Sequence, residues 1–379
     1  MGCIPEKCVP LYPDESYSGN MPTKHNLDGA ALIRTGHRSV YKLRTEGLVN
    51  DFLIVSGEGT RHLMASPEVV GFGSYQSMVP ATMSAMQYLV DGGLDDDVNI
   101  LTILRGGLNY PIEECAFRAG LRVTNIDFLS CERIIEDNVI KGLDVRYQKV
   151  RTCRDCVLMI GDIIASGATL KMCMDHVIDW FRSHGGSFKR IIFFTIGGSN
   201  AIDLMEDLTE KIRAFSPGFQ GFTCFFYEGI FNVYQDKGLL GFQVPDIDFY
   251  WGDGIVSPEF REHVVSHGFA LYEKCIIYDG GARRYEIPDH YKEVIAYWEE
   301  VLGASARIDL MELTMERLGY REPISYEEWL EVTHFRELGD LRVLYGDEMF
   351  FLDKARRLSL KDIAQKRIEQ IKQTLKGYE

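Results

Sequence analysis

Six short apolar segments, each ended by turn residues, constrain the fold of this chain more than any other feature. They cover residues 51–57, 98–107, 121–130, 156–162, 189–198 and 221–229. Helix-like stretches lie between some of them, at residues 77–93, 110–120 and 169–186. Strands that alternate with helices are typical of βαβ units, in which parallel strands are covered by helices on both faces. We therefore predict an α/β fold with a mainly parallel sheet flanked by helices.

The strand signal weakens toward the C-terminus, which suggests three regions. Residues 1–50 are rich in proline at first and then mixed, and we interpret them as an N-terminal arm. Residues 51–255 form the predicted α/β core. Residues 256–379 contain amphipathic helical patterns, and Ser325 with Glu328 fits a capping box at the start of one of them. The sequence therefore predicts a mostly helical C-terminal extension.

Charge and hydrophobicity exclude some classes of partner. The net charge of −15 argues against a broad nucleic-acid surface, because neutralising phosphates requires clustered Lys and Arg. No apolar stretch approaches the ~20 residues that span a bilayer, and the N-terminus lacks a signal-peptide pattern. We expect a cytoplasmic protein that binds neither nucleic acid nor membrane and that forms a homo-oligomer, as a dimer.

The nine cysteines are scattered and odd in number, which favours reduced thiols over a disulfide framework. Cys153 and Cys156 form a C-x-x-C pattern, but no second pair accompanies it at zinc-site spacing. We interpret them as incidental thiols beside a buried strand, with a metal or redox site as the alternative.

Residues 157–169 place a lone carboxylate between a buried strand and a loop of small residues. Asp162 follows the strand, and Thr169 is a suitable N-cap for the next helix. The small side chains of Ala165, Ser166, Gly167 and Ala168 let backbone N–H groups approach an anion at a helix N-terminus. The loop would then hold a phosphate while Asp162 accepts hydrogen bonds from sugar hydroxyls. The alternative is an ordinary turn with a capping aspartate.

A second candidate turn follows the strand at residues 100–104. Arg105 offers a planar guanidinium for phosphate oxygens, and Gly106 with Gly107 permits close backbone contact. Ligands of open parallel sheets bind beyond the carboxyl ends of the strands, so both turns belong to the edge where a ligand is expected. Their combination favours a ligand with more than one anionic group.

These two turns resemble the type I phosphoribosyltransferases across about residues 95–255. An apolar strand, an acid, two apolar residues and a small-residue loop resemble the family's signature. The resemblance implies that residues 165–169 bind the 5′-phosphate of phosphoribosyl pyrophosphate (PRPP) and that residues 105–107 bind pyrophosphate. The sequence departs from the pattern at Gly161, which replaces the first acid of the common acidic pair and leaves Asp162 as the carboxylate for the ribose diol.

Residues 126–150 resemble the family's mobile hairpin in position and length. Arg133, Tyr147 and Lys149 are similar to the uracil phosphoribosyltransferase branch, which implies that the hairpin closes over the reactants. Residues 232–254 resemble that branch's base-binding segment, with a proline before a Gly-Asp-rich turn. This implies a base-binding role for the residues Trp251, Gly252, Asp253 and Gly254.

The resemblance implies Mg²⁺-dependent transfer of a phosphoribosyl group from PRPP to a ring nitrogen of a pyrimidine-like or unusual base, with release of pyrophosphate. Arg105, Asp162, Arg133 and Tyr147 would be the catalytic residues; the residues that hold the metal are not indicated. Two alternatives remain: a non-catalytic ligand-binding regulator, and another ribose-5-phosphate enzyme that acts by phosphorolysis or hydrolysis.

Two further segments are interpreted as loops. Residues 71–76 contain a G-x-G without a full dinucleotide fingerprint, although an aromatic side chain there could lie near a base pocket. Residues 280–284 are interpreted as a turn with two cations that could contact a phosphate in a neighbouring subunit.

Overall fold

A computed structural model describes residues 27, 29–136, 139–233, 249–274, 282–319 and 324–378. The sheet that organises them has ten strands. The strands are β1 (Ala31–Arg34), β2 (Val40–Arg44), β3 (Asp51–Val55), β4 (Val98–Leu104), β5 (Val123–Glu136), β6 (Val139–Lys149), β7 (Cys156–Gly161), β8 (Phe188–Gly198), β9 (Phe222–Val233) and β10 (Phe249–Val256). Each of the six predicted apolar segments overlaps one of these strands, so those predictions are confirmed, although β5 and β9 continue beyond the predicted segments and β8 begins one residue earlier.

The centre of the sheet is parallel. Along the sheet the strands follow the order β1-β2-β3-β9-β8-β7-β4-β5-β6, and β10 pairs with β9. The pairs from β3 to β5 in this order are all parallel, whereas β1, β2, β6 and β10 pair antiparallel. β7, for example, is buried at every position. A strand covered on both faces has a nearly continuous run of apolar residues, and for this reason the central strands could be predicted from the sequence.

Helices cover this sheet and form the C-terminal extension. They are α1 (Glu58–Ala65), α2 (Phe72–Asp91), α3 (Ile112–Arg118), α4 (Ala168–Ser183), α5 (Asn200–Arg213), α6 (Pro258–Ser266), α7 (Ala282–Tyr285), α8 (Ile287–Ala304), α9 (Leu310–Leu318), α10 (Tyr326–Val332), α11 (Arg342–Ala355) and α12 (Leu360–Leu375). Short 3₁₀ helices occupy Gly106–Asn109 and Ala270–Tyr272. The predicted capping box is confirmed, because Ser325 and Glu328 exchange both of its hydrogen bonds at the start of α10. Within the described residues, no helix is long and apolar enough to cross a membrane.

The sheet begins earlier than the sequence indicated. β1 and β2 lie inside the predicted arm at residues 1–50, yet Leu32, Tyr41 and Leu43 are buried in the core. The Leu32 N–H also donates to the His334 carbonyl in the extension, at 3.0 Å. Four- and five-residue strands give too short an alternation to be recognised in a sequence, and residues 1–26 lie outside the described part of the chain.

A buried ion pair ties four helices of the extension together. The guanidinium of Arg261 on α6 contacts both carboxylate oxygens of Glu348 on α11, at 2.6 and 3.0 Å. The Glu348 Oε2 also accepts from the Trp329 indole on α10 at 2.9 Å, and Arg261 donates to the Leu318 carbonyl on α9 at 3.1 Å. Arg261 is 4% and Glu348 0% exposed, so neither charge has water as a substitute partner.

A second buried carboxylate, Glu228, joins β9 to the start of α1. It accepts from the Ser56 hydroxyl at 2.6 Å, the Gly57 N–H at 2.8 Å and the Ser257 hydroxyl at 3.1 Å, and also from the Thr60 hydroxyl. Burial outweighs these donors and raises the pKa of Glu228 to about 7. The folded chain therefore binds this proton more tightly than the unfolded chain does.

Replacing Glu228 by glutamine should reduce the dependence of stability on pH. A carboxyl whose folded pKa is raised stabilises the fold below its unfolded pKa of 4.5, and this contribution is lost as the pH rises toward about 7. The full loss is about 3 kcal/mol. In urea unfolding at pH 4.5 and pH 8, the wild type should lose more stability than Glu228→Gln. Other titrating groups cancel in this comparison, and equal pH profiles would show that Glu228 is ionised at little cost.

Candidate functional site

The two candidate turns meet at one edge of the sheet. They follow β4 and β7, which are parallel neighbours with Leu101 opposite Ile160. A Cβ atom added to Gly106 would lie 2.7 Å from the Asp162 Oδ1. The 105–107 turn therefore reaches the predicted diol-binding carboxylate, and a side chain at Gly106 would collide with it.

Asp162 emerges at the carboxyl end of β7 with its orientation fixed locally. Its backbone N–H donates to the Phe194 carbonyl on β8 at 3.1 Å. Its Oδ1 accepts from the Ile163 N–H at 2.8 Å. The residue is half-buried, so its charge lies at a boundary between core and solvent where a ligand can reach it. An asparagine could accept the same hydrogen bond without the negative charge.

Gly161 has no room for a side chain, at the position where the resembled phosphoribosyltransferase pattern has an acid. A Cβ at Gly161 would lie 2.6 Å from both Cβ and Cγ of Tyr110, and 2.9 Å from Cδ1 of Ile112. The Tyr110 ring therefore occupies the space that the first acid of a pair would need. Tyr110 is itself buried, and its hydroxyl accepts from the Ile196 N–H at 3.3 Å.

Gly161→Ala is accordingly expected to destabilise the protein. Overpacking of a close-packed core typically costs about 1–3 kcal/mol, and here the opposing atoms belong to a buried aromatic side chain. Urea unfolding should show this loss. Gly218→Ala is a suitable control, because a Cβ at Gly218 meets nothing within 4 Å. A Gly161→Ala protein as stable as that control would mean that Tyr110 moves aside without cost.

The small-residue loop forms the start of α4, although its N-cap differs from the prediction. Gly167, not Thr169, is the N-cap, and α4 begins at Ala168. The reason is conformational: Gly167 has φ 77°, which glycine adopts readily and threonine does not. Thr169 lies inside the first turn. Ala165 is buried and residues 166–169 are half-buried, so the loop retains an accessible surface at the helix N-terminus.

Arg105 points toward the C-terminal extension. Its guanidinium lies 3.1 Å from the Glu286 carboxylate and 5.6 Å from the centre of the Tyr285 ring. Arg105 is 55% and Glu286 48% exposed, so water can replace either partner. The predicted pyrophosphate-binding cation is thus held loosely by an acid 181 positions away in the sequence.

Arg284 is a second cation at this turn, and the sequence analysis did not assign it to the site. Its guanidinium donates to the Leu108 carbonyl and to the Asn109 Oδ1, the latter at 3.3 Å, and lies 4.9 Å from the centre of the Tyr75 ring. Within the segment at 280–284, Arg284 therefore contacts the turn of its own chain. Two adjacent arginines were a signal in the sequence, but nothing local indicated the contact.

The predicted hairpin is present as the pair β5–β6. Tyr147 lies opposite Ser130, and Arg133 lies opposite Leu143. Tyr147 is 51% exposed; the side chain of Arg133 is outside the described part of the structure. α4 braces the base of the hairpin, because the Trp180 indole donates to the Val150 carbonyl at 3.1 Å. The hairpin and the phosphate loop therefore share a supporting helix.

The proposed base-binding turn is part of a strand. Residues 251–254 belong to β10, which pairs antiparallel with β9 and shifts register between Tyr250 and Ile255. The predicted turn is therefore wrong as secondary structure. The side chains of Trp251 and Asp253 lie outside the described part of the chain, so their base-binding role stays a prediction.

A cavity of about 360 Å³ adjoins the site. Its walls include Phe72, Tyr75, Gly107, Tyr110, Gly161 and Arg284. Phe72 and Tyr75 lie in α2, where the sequence indicated a loop, and their rings stack with a centre distance of 5.3 Å. This volume lies within the range of small-molecule sites, about 300–1,000 Å³.

Across the described residues, no group of three or more His, Cys, Asp or Glu side chains could hold a metal ion. Asp162 is the carboxylate that meets the 105–107 turn. Mg²⁺ commonly keeps several waters and takes phosphate oxygens together with one or two carboxylates. The donor set fits an ion that arrives with a phosphorylated ligand, and it does not form a cage made by the protein alone.

Comparisons with known proteins find weak structural likenesses. No family model and no curated protein matches the chain. The AQ2163 protein from Aquifex aeolicus is 12% identical, covering 47% of this chain and 89% of its own, with a TM-score of 0.33. A hypoxanthine phosphoribosyltransferase from Staphylococcus aureus is 14% identical, covering 35% and 67%, with a TM-score of 0.27. An adenine phosphoribosyltransferase from Thermoanaerobacter pseudethanolicus is 14% identical, covering 40% and 84%, with a TM-score of 0.26. Likenesses at these TM-scores assign neither a family nor an activity.

Proposed function

We propose that this protein is a phosphoribosyltransferase that transfers the phosphoribosyl group of PRPP to a ring nitrogen of a pyrimidine-like or unusual heterocyclic base and releases pyrophosphate. The observation that carries the proposal is the contact between the two turns. Asp162 Oδ1 lies 2.7 Å from the position of a Cβ on Gly106, at the carboxyl edge of a parallel sheet. Asp162 could accept hydrogen bonds from a sugar diol, and the loop at 165–169, which we call the phosphate cup, follows it on the same strand–helix turn. Together with the basic glycine turn at 105–107, this arrangement suits a sugar that carries phosphate at one end and pyrophosphate at the other.

Asp162 would act on the ribose. Displacement of pyrophosphate from C1 gives a transition state with positive charge on the sugar and growing negative charge on the leaving group. A carboxylate beside the ribose hydroxyls orients the ring and favours that positive charge electrostatically. The hydrogen bond from Ile163 N–H keeps the carboxylate in place before the substrate arrives.

The phosphate cup at residues 165–169 would bind the 5′-phosphate. The first turn of an α-helix has N–H groups without intrahelical acceptors and carries a partial positive charge. Binding energy gained at this distant phosphate positions C1 for the reaction. The left-handed Gly167 sets the start of α4 and thereby the direction of these N–H groups.

Arg105 and the backbone of Gly106 and Gly107 would bind pyrophosphate. Asp162 and the pyrophosphate oxygens would hold Mg²⁺, which supplies further neutralisation of charge on the leaving group when bound. Arg284 adds a second guanidinium at the same turn, since it donates to the Leu108 carbonyl. The hairpin with Arg133, Tyr147 and Lys149 would close over the reactants and exclude water. The cavity beside Tyr75 offers an aromatic wall for a flat acceptor.

Glu286→Gln should strengthen binding of pyrophosphate, because the Glu286 carboxylate competes with it for Arg105. Exposed ion pairs contribute about 0.2–1 kcal/mol, so we expect the dissociation constant to fall by up to about fivefold. Titration calorimetry with pyrophosphate and Mg²⁺ measures this change. Asp289→Gln removes a nearby exposed carboxylate that pairs with Lys292 and serves as the control. Unchanged or weaker binding in Glu286→Gln would contradict the assignment of Arg105.

Calorimetric titration of the full chain with PRPP and Mg²⁺ tests the proposal at the level of binding. We expect one site, with binding weakened when Thr169 in the phosphate cup is replaced by valine. Absence of PRPP binding would contradict the proposal.

A ligand-binding regulator with the same site is the second candidate. Gly161 favours it, because the space for a second acid is filled by Tyr110 and Asp162 acts alone. PRPP binding without any pyrophosphate release would support this candidate.

A further inference from the structure

Cys153 and Cys156 lie at the opposite end of β7 from Asp162. Cys156 is the first residue of the strand, whereas Asp162 follows its last residue. Cys156 is 3% exposed and Cys153 is half-buried, and neither is in a disulfide. Cys153 is therefore more accessible to small reagents than Cys156.

The two sulfur atoms are neighbours. The side-chain amide of Asn99, on the adjacent strand β4, donates to Cys153 Sγ at 3.4 Å and to Cys156 Sγ at 3.5 Å. Asn99 is 6% exposed, and its own Oδ1 accepts from the Thr124 hydroxyl at 2.8 Å, which fixes the amide. A single buried donor thus holds both sulfurs on one side of the strand.

The backbone between the cysteines is already a turn. Arg154 and Asp155 form it, with Asp155 at φ 50°. Ser187 braces both ends, because its N–H donates to the Cys153 carbonyl at 3.0 Å and its carbonyl accepts from the Cys156 N–H at 2.9 Å. The ends of a four-residue turn lie within about 7 Å, and disulfides span Cα distances of about 4.4–6.8 Å. Bridging the sulfurs therefore requires little backbone movement.

The more accessible thiol also has the lower pKa. The interaction with the neighbouring Cys156 thiol lowers the pKa of Cys153. The same interaction with Cys153, together with burial, raises the pKa of Cys156. A lowered pKa increases the fraction of thiolate, and the thiolate is the attacking species in thiol–disulfide exchange.

We propose that Cys153 and Cys156 form a redox-active dithiol that low-molecular-weight disulfides oxidise to an intramolecular disulfide, independently of the function proposed above. The Cys153 thiolate attacks one sulfur of the reagent RSSR, so that its S–S bond breaks, RS⁻ leaves and a mixed disulfide forms. The Cys156 thiol gives its proton to RS⁻, and its sulfur attacks Cys153 Sγ and displaces the second RS⁻, which takes the proton released by Cys153. Two protein thiols are oxidised, and RSSR is reduced to two RSH.

The experiment treats the native full-length chain at pH 7 with glutathione disulfide, blocks the remaining thiols, and maps tryptic peptides without reduction. Trypsin cuts after Arg151, Arg154 and Lys171, so the disulfide would join peptide 152–154 to peptide 155–171. We expect this linked pair to form at least about tenfold faster than any glutathione adduct at Cys131, which is also half-buried but has a pKa raised by burial. Reaction of Cys131 as fast as that of Cys153 would overturn the proposal.

Two serine variants separate the roles of the cysteines. In Cys156→Ser, the adduct at Cys153 should accumulate as a mixed disulfide, with a mass gain of about 305 Da on its peptide. In Cys153→Ser, Cys156 should stay unmodified because it is buried. Cys131→Ser is the matched control and should leave formation of the linked pair unchanged. A mixed disulfide that accumulates at Cys153 in the wild-type chain, without the linked pair, would also overturn the proposal.

Discussion

Asp162→Asn is expected to lower kcat for pyrophosphate release from PRPP by about a hundredfold to a thousandfold, the usual effect of removing one preorganised electrostatic group from an active site. The fold should be unaffected, because the asparagine oxygen can accept the Ile163 N–H as Asp162 Oδ1 does at 2.8 Å. Under the proposed function, the variant loses the negative charge that would orient the ribose hydroxyls and stabilise the positively charged transition state.

The measurement is steady-state pyrophosphate release, with urea unfolding of the same preparation. Asp179→Asn is the matched control: Asp179 is an exposed carboxylate on α4 that pairs with Arg182 at 3.0 Å. This control should retain wild-type turnover and stability. If Asp162→Asn kept full turnover, the assignment of the diol-binding carboxylate would be wrong; if both variants unfolded more easily, the effect would be structural.

Glu348→Gln is expected to cost about 3–5 kcal/mol of folding free energy, the largest stability effect of any single change considered for this chain. The variant leaves the guanidinium of Arg261 buried beside a neutral amide, with 4% exposure and no access to water. It also disturbs the contact of Trp329 with the same carboxylate, so α6, α10 and α11 lose a shared anchor.

Urea unfolding measures this loss, and Asp353→Asn on the same helix is the control. Asp353 pairs with Arg357 at 2.5 Å, but the pair is 49% and 76% exposed, and exposed pairs contribute about 0–1 kcal/mol. The difference between the two variants in lost unfolding free energy measures how much larger the effect is when the ion pair is buried. Equal losses would show that Arg261 finds another partner or reaches water when Glu348 is changed.

The sequence predicted the central strands because their burial is visible in it. β7 and β8 are almost wholly buried and read as continuous apolar runs. The two turns that follow β4 and β7 were predictable for the same reason, since parallel strands place their carboxyl ends at one edge. β1 and β2 were missed because strands of four and five residues are too short to show a clear period.

The site was predicted only where its signals are local. Asp162, Gly106 and Gly107 are adjacent to strands, so their position followed from the strands themselves. The contacts of Arg284 with Leu108 and of Glu286 with Arg105 join segments far apart in the chain, and no local pattern encodes such a contact. The N-cap was misplaced because side-chain preference favours threonine, whereas the backbone needed a left-handed residue.

Pyrophosphate release from PRPP with Mg²⁺, measured over a panel of nucleobases and related heterocycles, tests the central claim most directly. The account predicts release with a pyrimidine-like or related acceptor and little release without one, because transfer to the ring nitrogen expels the leaving group. If no acceptor in the panel causes pyrophosphate release but PRPP binds tightly, the ligand-binding regulator is favoured. If there is neither pyrophosphate release nor PRPP binding, the account is contradicted.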